Sequence, residues 1–228
     1  MTKKQIHQRV IDAGIVAVIR ATSVDKALAA AEAISAGGVF VLEVTMTVPG
    51  ALDAIAALAR MAGNDLVIGA GTVLDQAAAR RCLDAGAEFL VSPGLDRETV
   101  AFARSRDKLM MAGALTPTEI IEAWKAGSDL VKVFPCSSVG GAAYIKALRG
   151  PLPQIPLVPT GGVDLGNVAD LIRAGAAAVG VGGELVSAQA LKAGNTAVIT
   201  ELAKKFVTAV REARVPADRR SLSGNCKR

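Results

Sequence analysis

Ala126-Gly127 precedes the apolar run Leu130-Val131-Lys132-Val133-Phe134-Pro135, and this order of a small residue, a glycine and a short apolar run recurs along the chain. The spacing of the copies is about two dozen residues or roughly twice that, which is typical of a repeated supersecondary unit. Glycine after a helix is the usual left-handed cap, so each unit is predicted to be a helix followed by a strand. The other copies begin at Ala13-Gly14, Ala36-Gly37, Ala62-Gly63, Ala85-Gly86 and Ala174-Gly175.

Eight apolar runs are candidate strands, and segments with helical periodicity separate them. Runs that are apolar on both faces and alternate with helices predict a parallel sheet. Eight such units predict an α/β fold, a single (β/α)8 TIM barrel, rather than an open doubly wound sheet. The candidate strands are Ile15–Ile19, Phe40–Val44, Leu66–Ala70, Phe89–Val91, Leu109–Ala112, Leu130–Phe134, Leu157–Pro159 and Ala178–Val181.

The barrel is predicted to span residues 1–213, with an extra N-terminal helix over residues 2–12 and a last helix over Asn195–Arg211. Residues 214–228 are expected to form a disordered basic tail, which carries most of the formal net charge of +5. The body of the chain is therefore close to neutral, and only 3% of its residues are aromatic. Neither property favours nucleic acid as a partner.

Cysteine, histidine and hydropathy exclude further classes of protein. Cys82, Cys136 and Cys226 form no CxxC pair, which indicates a reducing compartment without a disulfide framework. His7 is the single histidine, so no zinc-type metal site is expected. The chain shows neither an N-terminal signal nor an apolar stretch of about 18 residues, so we expect a cytoplasmic protein without a membrane partner.

Lys132 stands inside an apolar run that is expected to be a buried strand. A buried ammonium group costs several kcal/mol to desolvate unless it is paired or neutral, so lysine is rare there. Burial favours the neutral amine, a nucleophile that can form a Schiff base with a carbonyl compound. The alternative is a structural lysine at a strand end whose amine reaches into water.

Glu43 is a second charge in an apolar run, Val41-Leu42-Glu43-Val44. A desolvated carboxyl group suits general acid–base chemistry near neutral pH. The alternative is a buried ion pair with Lys132 or Arg20 that serves only the barrel structure. Two such charges at the ends of different strands favour a shared catalytic role.

Further polar and glycine residues follow the other strands, and in this fold catalytic groups lie at the carboxyl ends of the strands. Thr160-Gly161-Gly162 follows strand seven and Gly182-Gly183 follows strand eight, where barrels of this class usually bind phosphate. Glycine lets backbone N–H groups approach an anion, although Glu184 adds an unfavourable charge. Arg20 is a candidate clamp for a substrate carboxylate.

Six motifs closely resemble the 2-keto-3-deoxy-6-phosphogluconate (KDPG) aldolase family, which includes 4-hydroxy-2-oxoglutarate aldolases. The resemblance runs from about residue 10 to residue 212, in order and at the right spacing. The motifs are Val16-Ala17-Val18-Ile19-Arg20, Gly37-Gly38-Val39 through Leu42-Glu43-Val44-Thr45, Ile68-Gly69-Ala70-Gly71-Thr72-Val73-Leu74, Ser92-Pro93, Val131-Lys132-Val133-Phe134-Pro135 and Val158-Pro159-Thr160-Gly161-Gly162-Val163.

The resemblance implies a class I aldolase, usually a homotrimer, that binds its substrate as a Schiff base and needs no cofactor. Lys132 aligns with the Schiff-base lysine of the family and Glu43 with its general acid/base. Thr47 stands where some members carry arginine, so Arg20 is expected to take over the carboxylate. The residues implied to bind pyruvate are Arg20, Thr47, Thr72, Pro93 and Phe134, and those at the phosphate end are Thr160, Gly161, Gly162, Gly182 and Gly183.

The expected activity is cleavage of KDPG, a small 2-keto acid, to pyruvate and glyceraldehyde 3-phosphate. One alternative is a sibling aldolase that acts on 4-hydroxy-2-oxoglutarate or on 2-keto-3-deoxy-6-phosphogalactonate. Another is a catalytically silent barrel used as a phosphate binder or an assembly scaffold, against which the Lys132 and Glu43 pair argues.

Overall fold

The computed structural model describes residues 1–63 and 65–215, in which parallel strands alternate with helices. The strands are β1 Ile15–Ile19, β2 Val41–Thr45, β3 Val67–Gly71, β4 Phe89–Val91, β5 Leu109–Ala114, β6 Leu130–Val133, β7 Leu157–Pro159 and β8 Val179–Val181. The helices are α1 Lys3–Ala13, α2 Val24–Ala36, α3 Ala51–Met61, α4 Gln76–Asp84, α5 Arg97–Ser105, α6 Pro117–Ala126, α7 Ala142–Arg149, α8 Val168–Arg173, α9 Ala188–Ala193 and α10 Thr196–Arg214, with a 3₁₀ turn at Cys136–Val139.

The eight strands form one parallel sheet in the order β7-β6-β5-β4-β3-β2-β1-β8. A single parallel bridge between Thr160 and Gly180 brings the two outer strands together, so the sheet closes on itself. Closure removes the exposed edges that an open sheet would present. The predicted (β/α)8 barrel is confirmed.

Strand limits depend on pairing with neighbours, and here the sequence prediction was accurate to within two residues. Three strands, β1, β4 and β7, have the predicted bounds. Strand β5 was expected to end at Ala112 but continues, because Gly113 and Ala114 pair with Lys132 and Val133 of β6. Such partners are distant in sequence, so a local apolar pattern does not reveal them.

The core has two parts, one between strands and helices and one inside the barrel. The extra N-terminal helix α1 is confirmed, and it places Ile6 and Val10 in the inner part. It begins at a capping box in which Thr2 and Gln5 bond reciprocally. Helix α1 thus fills the amino end of the barrel, opposite the mouth where the strands end. The strand residues of the inner part are Val16, Val41, Val67, Phe89, Val91, Leu109, Met111, Leu130 and Val158.

Helix α10 is longer than predicted and ends at Arg214, a residue that the sequence analysis assigned to the tail. The Arg214 guanidinium donates hydrogen bonds to the carbonyl oxygens of Ile11, Asp12 and Ala177. Two of these carbonyls belong to the last turn of α1, where no N–H group of the helix is available to donate to them. The remainder of the predicted tail, residues 216–228, lies outside the described residues.

Five of the six glycines predicted to cap helices adopt positive φ, and Gly37 is the exception. Gly37 has a φ of −87°, and the next residue, Gly38, takes the positive value of 92°. A Cβ on Gly37 would lie 2.3 Å from the Cβ of Ala203 and 2.6 Å from the carbonyl oxygen of Thr200. Gly37 is therefore needed for the close approach of α10 to α2. The glycines with positive φ are Gly14, Gly63, Gly86, Gly127 and Gly175.

Two glycines without positive φ provide a matched test of this packing. We expect Gly37→Ala to lower the free energy of unfolding by about 1–3 kcal/mol, because the new methyl group overlaps α10. Gly94→Ala is the control, since a Cβ there meets no heavy atom within 4 Å and the φ is not positive, and it should be neutral or stabilise by up to about 1 kcal/mol. Urea unfolding measures both, and a Gly37→Ala protein as stable as the wild type would contradict the packing.

Candidate active site

The two charges in apolar runs meet inside the mouth of the barrel. Strand β6 places Lys132 and strand β2 places Glu43, and their side chains are 6% and 3% exposed. The Lys132 Nζ lies 4.0 Å from the Glu43 Oε1. Their strand neighbours Val131, Val133, Leu42 and Val44 belong to the outer core, so the alternation of a strand turns both charges inward. The lysine amine does not reach into water, which removes that alternative.

The surroundings of this pair are poor in hydrogen-bond partners. Within the described residues, the Glu43 Oε1 is buried and accepts no hydrogen bond. The Lys132 Nζ lies 5.3 Å from the centre of the Phe134 ring. A buried polar atom without a partner is destabilising, and such atoms persist where function requires them. At 4.0 Å the two groups are near enough to act on one bound molecule but are not locked to each other.

Gly71 makes room for the Glu43 carboxylate, and Gly113 makes room for the backbone at Pro93. A Cβ on Gly71 would lie 1.8 Å from the Glu43 Oε1, so the carboxylate occupies the space above this glycine. A Cβ on Gly113 would lie 2.1 Å from the backbone of Pro93. Gly71 is the last residue of β3, one residue beyond the predicted end of that strand. Glycine is needed here because the Glu43 side chain occupies the space of a Cβ, and not because of the backbone conformation.

Two threonines stand at the ends of β2 and β3, near Glu43. Thr72 has a φ of +58°, a left-handed conformation that is unusual for a β-branched residue. Strain of this kind is concentrated at functional sites. Thr47 is exposed, and its Oγ1 lies 2.8 Å from the Oγ1 of Thr45, which is bonded to the carbonyl oxygen of Ile19.

A cleft of about 180 Å³, here called the glycine cleft, opens beside this pair. The glycine-rich loops predicted to bind phosphate meet there. Asn167 holds the first loop by donating from its Nδ2 to the carbonyl oxygen of Gly162. Arg20 also lines the glycine cleft, whereas Thr47 and Thr72, the other polar residues predicted to bind pyruvate, do not. The lining residues are Val18, Arg20, Phe134, Thr160, Gly161, Gly162, Val163, Gly180, Gly182, Gly183 and Glu184.

A second cleft of about 360 Å³, the proline cleft, is also lined by Phe134. Phe134 lines both clefts, and Pro93 lines only the second. Pro93 and Phe134, which were both predicted to bind pyruvate, therefore line the same cavity. The other lining residues are Gly94, Leu95, Gly113, Ala114, Leu115 and Glu119.

Sequence reasoning missed the residues that support these walls. The Ser92 Oγ donates to the carbonyl oxygen of Gly94 and accepts from the N–H of Gly113, which ties two strand ends together. Glu119 caps α6, and the backbone N–H groups of Thr116 and Leu115 hold the pKa of its carboxyl below the usual range. Ser92 was noted only within the Ser92-Pro93 motif. Glu119 ends the capping-box pattern Thr116-Pro117-Thr118-Glu119, which predicts the start of a helix rather than a site.

Other candidate chemistries at the mouth find little support. Burial raises the pKa of the Cys136 thiol to about 11, so this cysteine is a poor nucleophile near neutral pH. In the part of the chain that the structure describes, His, Cys, Asp and Glu side chains form no group of three that could hold a metal ion. Among the same residues, no helix is long and apolar enough to cross a membrane.

A buried amine beside a carboxylate, at the carboxyl ends of barrel strands, defines a site for a carbonyl substrate. Lysine activated by burial forms Schiff bases with such substrates, and a nearby carboxyl group can move their protons. The fold and the site therefore define a class of barrel enzymes that use a lysine nucleophile.

Comparison with known proteins identifies the family. Residues 6–202 match the model of the KDPG and KHG aldolase family, where KHG is 4-hydroxy-2-oxoglutarate. The chain is 34% identical over 196 residues to the 2-dehydro-3-deoxy-phosphogluconate aldolase of Treponema pallidum, covering 86% of this chain and 93% of that one. It is 35% identical over 193 residues to the KHG/KDPG aldolase of Escherichia coli K12, covering 85% and 90%.

A solved structure agrees with these sequences. The KDPG aldolase of Legionella pneumophila, with pyruvate captured as a covalent carbinolamine, superimposes with a TM-score of 0.82 at 32% identity, covering 88% of this chain and 97% of that one. The chain belongs to the KDPG and KHG aldolase family and is a pyruvate-dependent aldolase.

The buried pair makes a prediction about stability that does not depend on turnover. Lys132→Met should lower the free energy of unfolding by about 3 kcal/mol, because it leaves the Glu43 carboxylate buried without its counter-charge. Adding Glu43→Gln should recover most of that loss, since the double variant buries no charge at either position. Urea unfolding of the single and double variants measures the coupling. Equal losses in both would show that the two side chains are independent.

Proposed function

We propose that the protein cleaves KDPG to pyruvate and glyceraldehyde 3-phosphate through a Schiff base on Lys132. The observation that carries the proposal is the buried Lys132 amine, 4.0 Å from the Glu43 carboxylate at the mouth of the barrel. The printed names of the relatives from Treponema pallidum and Legionella pneumophila support the same substrate.

The first half of the reaction is formation of the Schiff base. Lys132, as the neutral amine, attacks the C2 ketone of the substrate and forms a carbinolamine. Loss of water gives a cationic iminium, which withdraws electrons from the neighbouring carbon atoms. The carbinolamine in the Legionella structure is the first of these intermediates, seen in that protein.

The second half of the reaction breaks a carbon–carbon bond. Glu43 accepts the proton of the C4 hydroxyl group as the C3–C4 bond breaks, and the bonding electrons move into the iminium to give an enamine. Glyceraldehyde 3-phosphate leaves, Glu43 returns the proton to C3, and water releases pyruvate from Lys132. The Glu43 Oε1 has no hydrogen-bond partner in the described residues and is therefore free to accept this proton.

The two clefts suit the two ends of such a substrate. We place the pyruvate part near Lys132, with Pro93 and Phe134 as walls and the hydroxyl groups of Thr47 and Thr72 near the carboxylate. We place the phosphate end in the glycine cleft, where Arg20 supplies a positive charge. The remaining predicted phosphate ligands are Thr160, Gly161, Gly162, Gly182 and Gly183.

A second candidate substrate is 4-hydroxy-2-oxoglutarate, because the Escherichia coli relative carries both substrates in its name. It offers the same 2-keto group to Lys132 but a carboxylate in place of the phosphorylated end. Comparing kcat/KM for the two compounds ranks them. Operation without a metal or other cofactor, assembly as a homotrimer and a cytoplasmic location remain predictions.

Borohydride trapping tests the Schiff base. Incubation with pyruvate and sodium borohydride should reduce the iminium and leave a stable pyruvate-sized adduct on Lys132, found by intact mass and peptide mapping. Lys132→Arg should abolish both adduct and turnover, while Lys125→Arg, at an exposed lysine of α6, should form the adduct like the wild type. A folded wild-type protein without an adduct would exclude the mechanism.

Substitution of Glu43 separates proton transfer from imine formation. Glu43→Gln should lower kcat about 10²–10⁴-fold, because the amide cannot accept the C4 hydroxyl proton. The variant should still be trapped on Lys132 by pyruvate and borohydride, which shows that the site is intact. A kcat within about threefold of the wild type would remove Glu43 from the mechanism.

A further inference from the structure

Only two charged side chains, Arg20 and Glu184, are among the described residues that line the glycine cleft. Both are exposed. Their formal charges cancel, so the side chains give this cleft no net charge although it is the proposed site for a phosphate. A phosphate group carries between one and two negative charges at neutral pH, and it would meet attraction from one side chain and repulsion from the other.

The hydroxyl group of Thr160 also makes the glycine cleft less suited to a phosphate. Its Oγ1 donates a long hydrogen bond, 3.3 Å, to the carbonyl oxygen of Val158, and while that bond is kept the oxygen is left as an acceptor. An acceptor suits a ligand hydroxyl group, which has a hydrogen to donate, better than a phosphate, whose ionised oxygens only accept. A carboxylate such as Glu184 is also an acceptor.

We propose that Glu184 offsets Arg20 and makes the glycine cleft only weakly selective for phosphate. The enzyme therefore also cleaves 2-keto-3-deoxy sugar acids whose far end is an uncharged hydroxyl group. This inference rests on the proposed function, because it assigns the far end of the aldol substrate to the glycine cleft. It makes Glu184 a residue that sets specificity rather than a catalytic one.

The kinetic test uses KDPG and its unphosphorylated counterpart, 2-keto-3-deoxygluconate. The ratio of their kcat/KM values in the wild type should be within about tenfold, whereas an Arg–phosphate contact without an opposing charge would favour phosphate by about a hundredfold. A wild-type ratio above about a hundredfold overturns the inference.

Variants of the two charges test the compensation directly. Glu184→Gln should raise the phosphate preference at least about fivefold, Arg20→Gln should lower it, and the double variant should return towards the wild-type ratio. Glu32→Gln makes the same change at an exposed position on α2 and should not move the ratio. The effect of Glu184→Gln should shrink at high salt, because both charges are exposed. A Glu184→Gln ratio equal to that of the wild type overturns the inference.

A binding measurement keeps this result separate from the aldolase mechanism. Titration calorimetry with inorganic phosphate needs no turnover, and Glu184→Gln should bind phosphate at least about fivefold more tightly than the wild type. Equal or weaker binding overturns the inference even if the enzyme is an active aldolase. Failure of borohydride trapping on Lys132 would instead remove the proposed mechanism and leave the phosphate comparison valid.

Discussion

The buried proximity of Lys132 and Glu43 is the constraint on which the mouth of the barrel depends. Both side chains leave water on folding, and the barrel tolerates this because each charge lies 4.0 Å from the other. The positions around them are correspondingly limited. Gly71 must lack a side chain so that the carboxylate fits, and Gly113 must lack one so that the loop at Pro93 can close over β5. The Glu43 carboxylate thus determines the residue at position 71, and the backbone at Pro93 determines the residue at position 113.

The fold was predictable because every strand of a closed barrel is buried on both faces. Uninterrupted apolar runs and regularly spaced glycines mark such strands locally, and a charge inside one, such as Lys132 or Glu43, is conspicuous. The roles of Gly37 and Gly71 were not predictable, since each depends on a side chain from a distant element. Arg20 shows the same limit, because the end of β1 indicates the mouth but not the side of the mouth that the guanidinium faces.

Phe134 organises the site by lining both clefts beside the Lys132 amine. The position of the amine suits the breaking bond, while the two cavities suit the two parts into which the substrate divides. Chemistry and recognition are consequently carried by different residues. A barrel built in this way can change its preference for the leaving aldehyde through the loops after β7 and β8, without altering the strands that hold the amine and the carboxylate.

The bonds from Arg214 to α1 join the last described helix to the first. On the ribosome α1 is made before the strands of the barrel, and the residue that completes its final turn is added roughly 200 positions later. Until α10 has emerged, the carbonyl groups of that turn bond to water, and the amino end of the barrel lacks its hydrogen bonds from Arg214. The last turn of α1 is therefore completed only after all the strands between the two helices have been made.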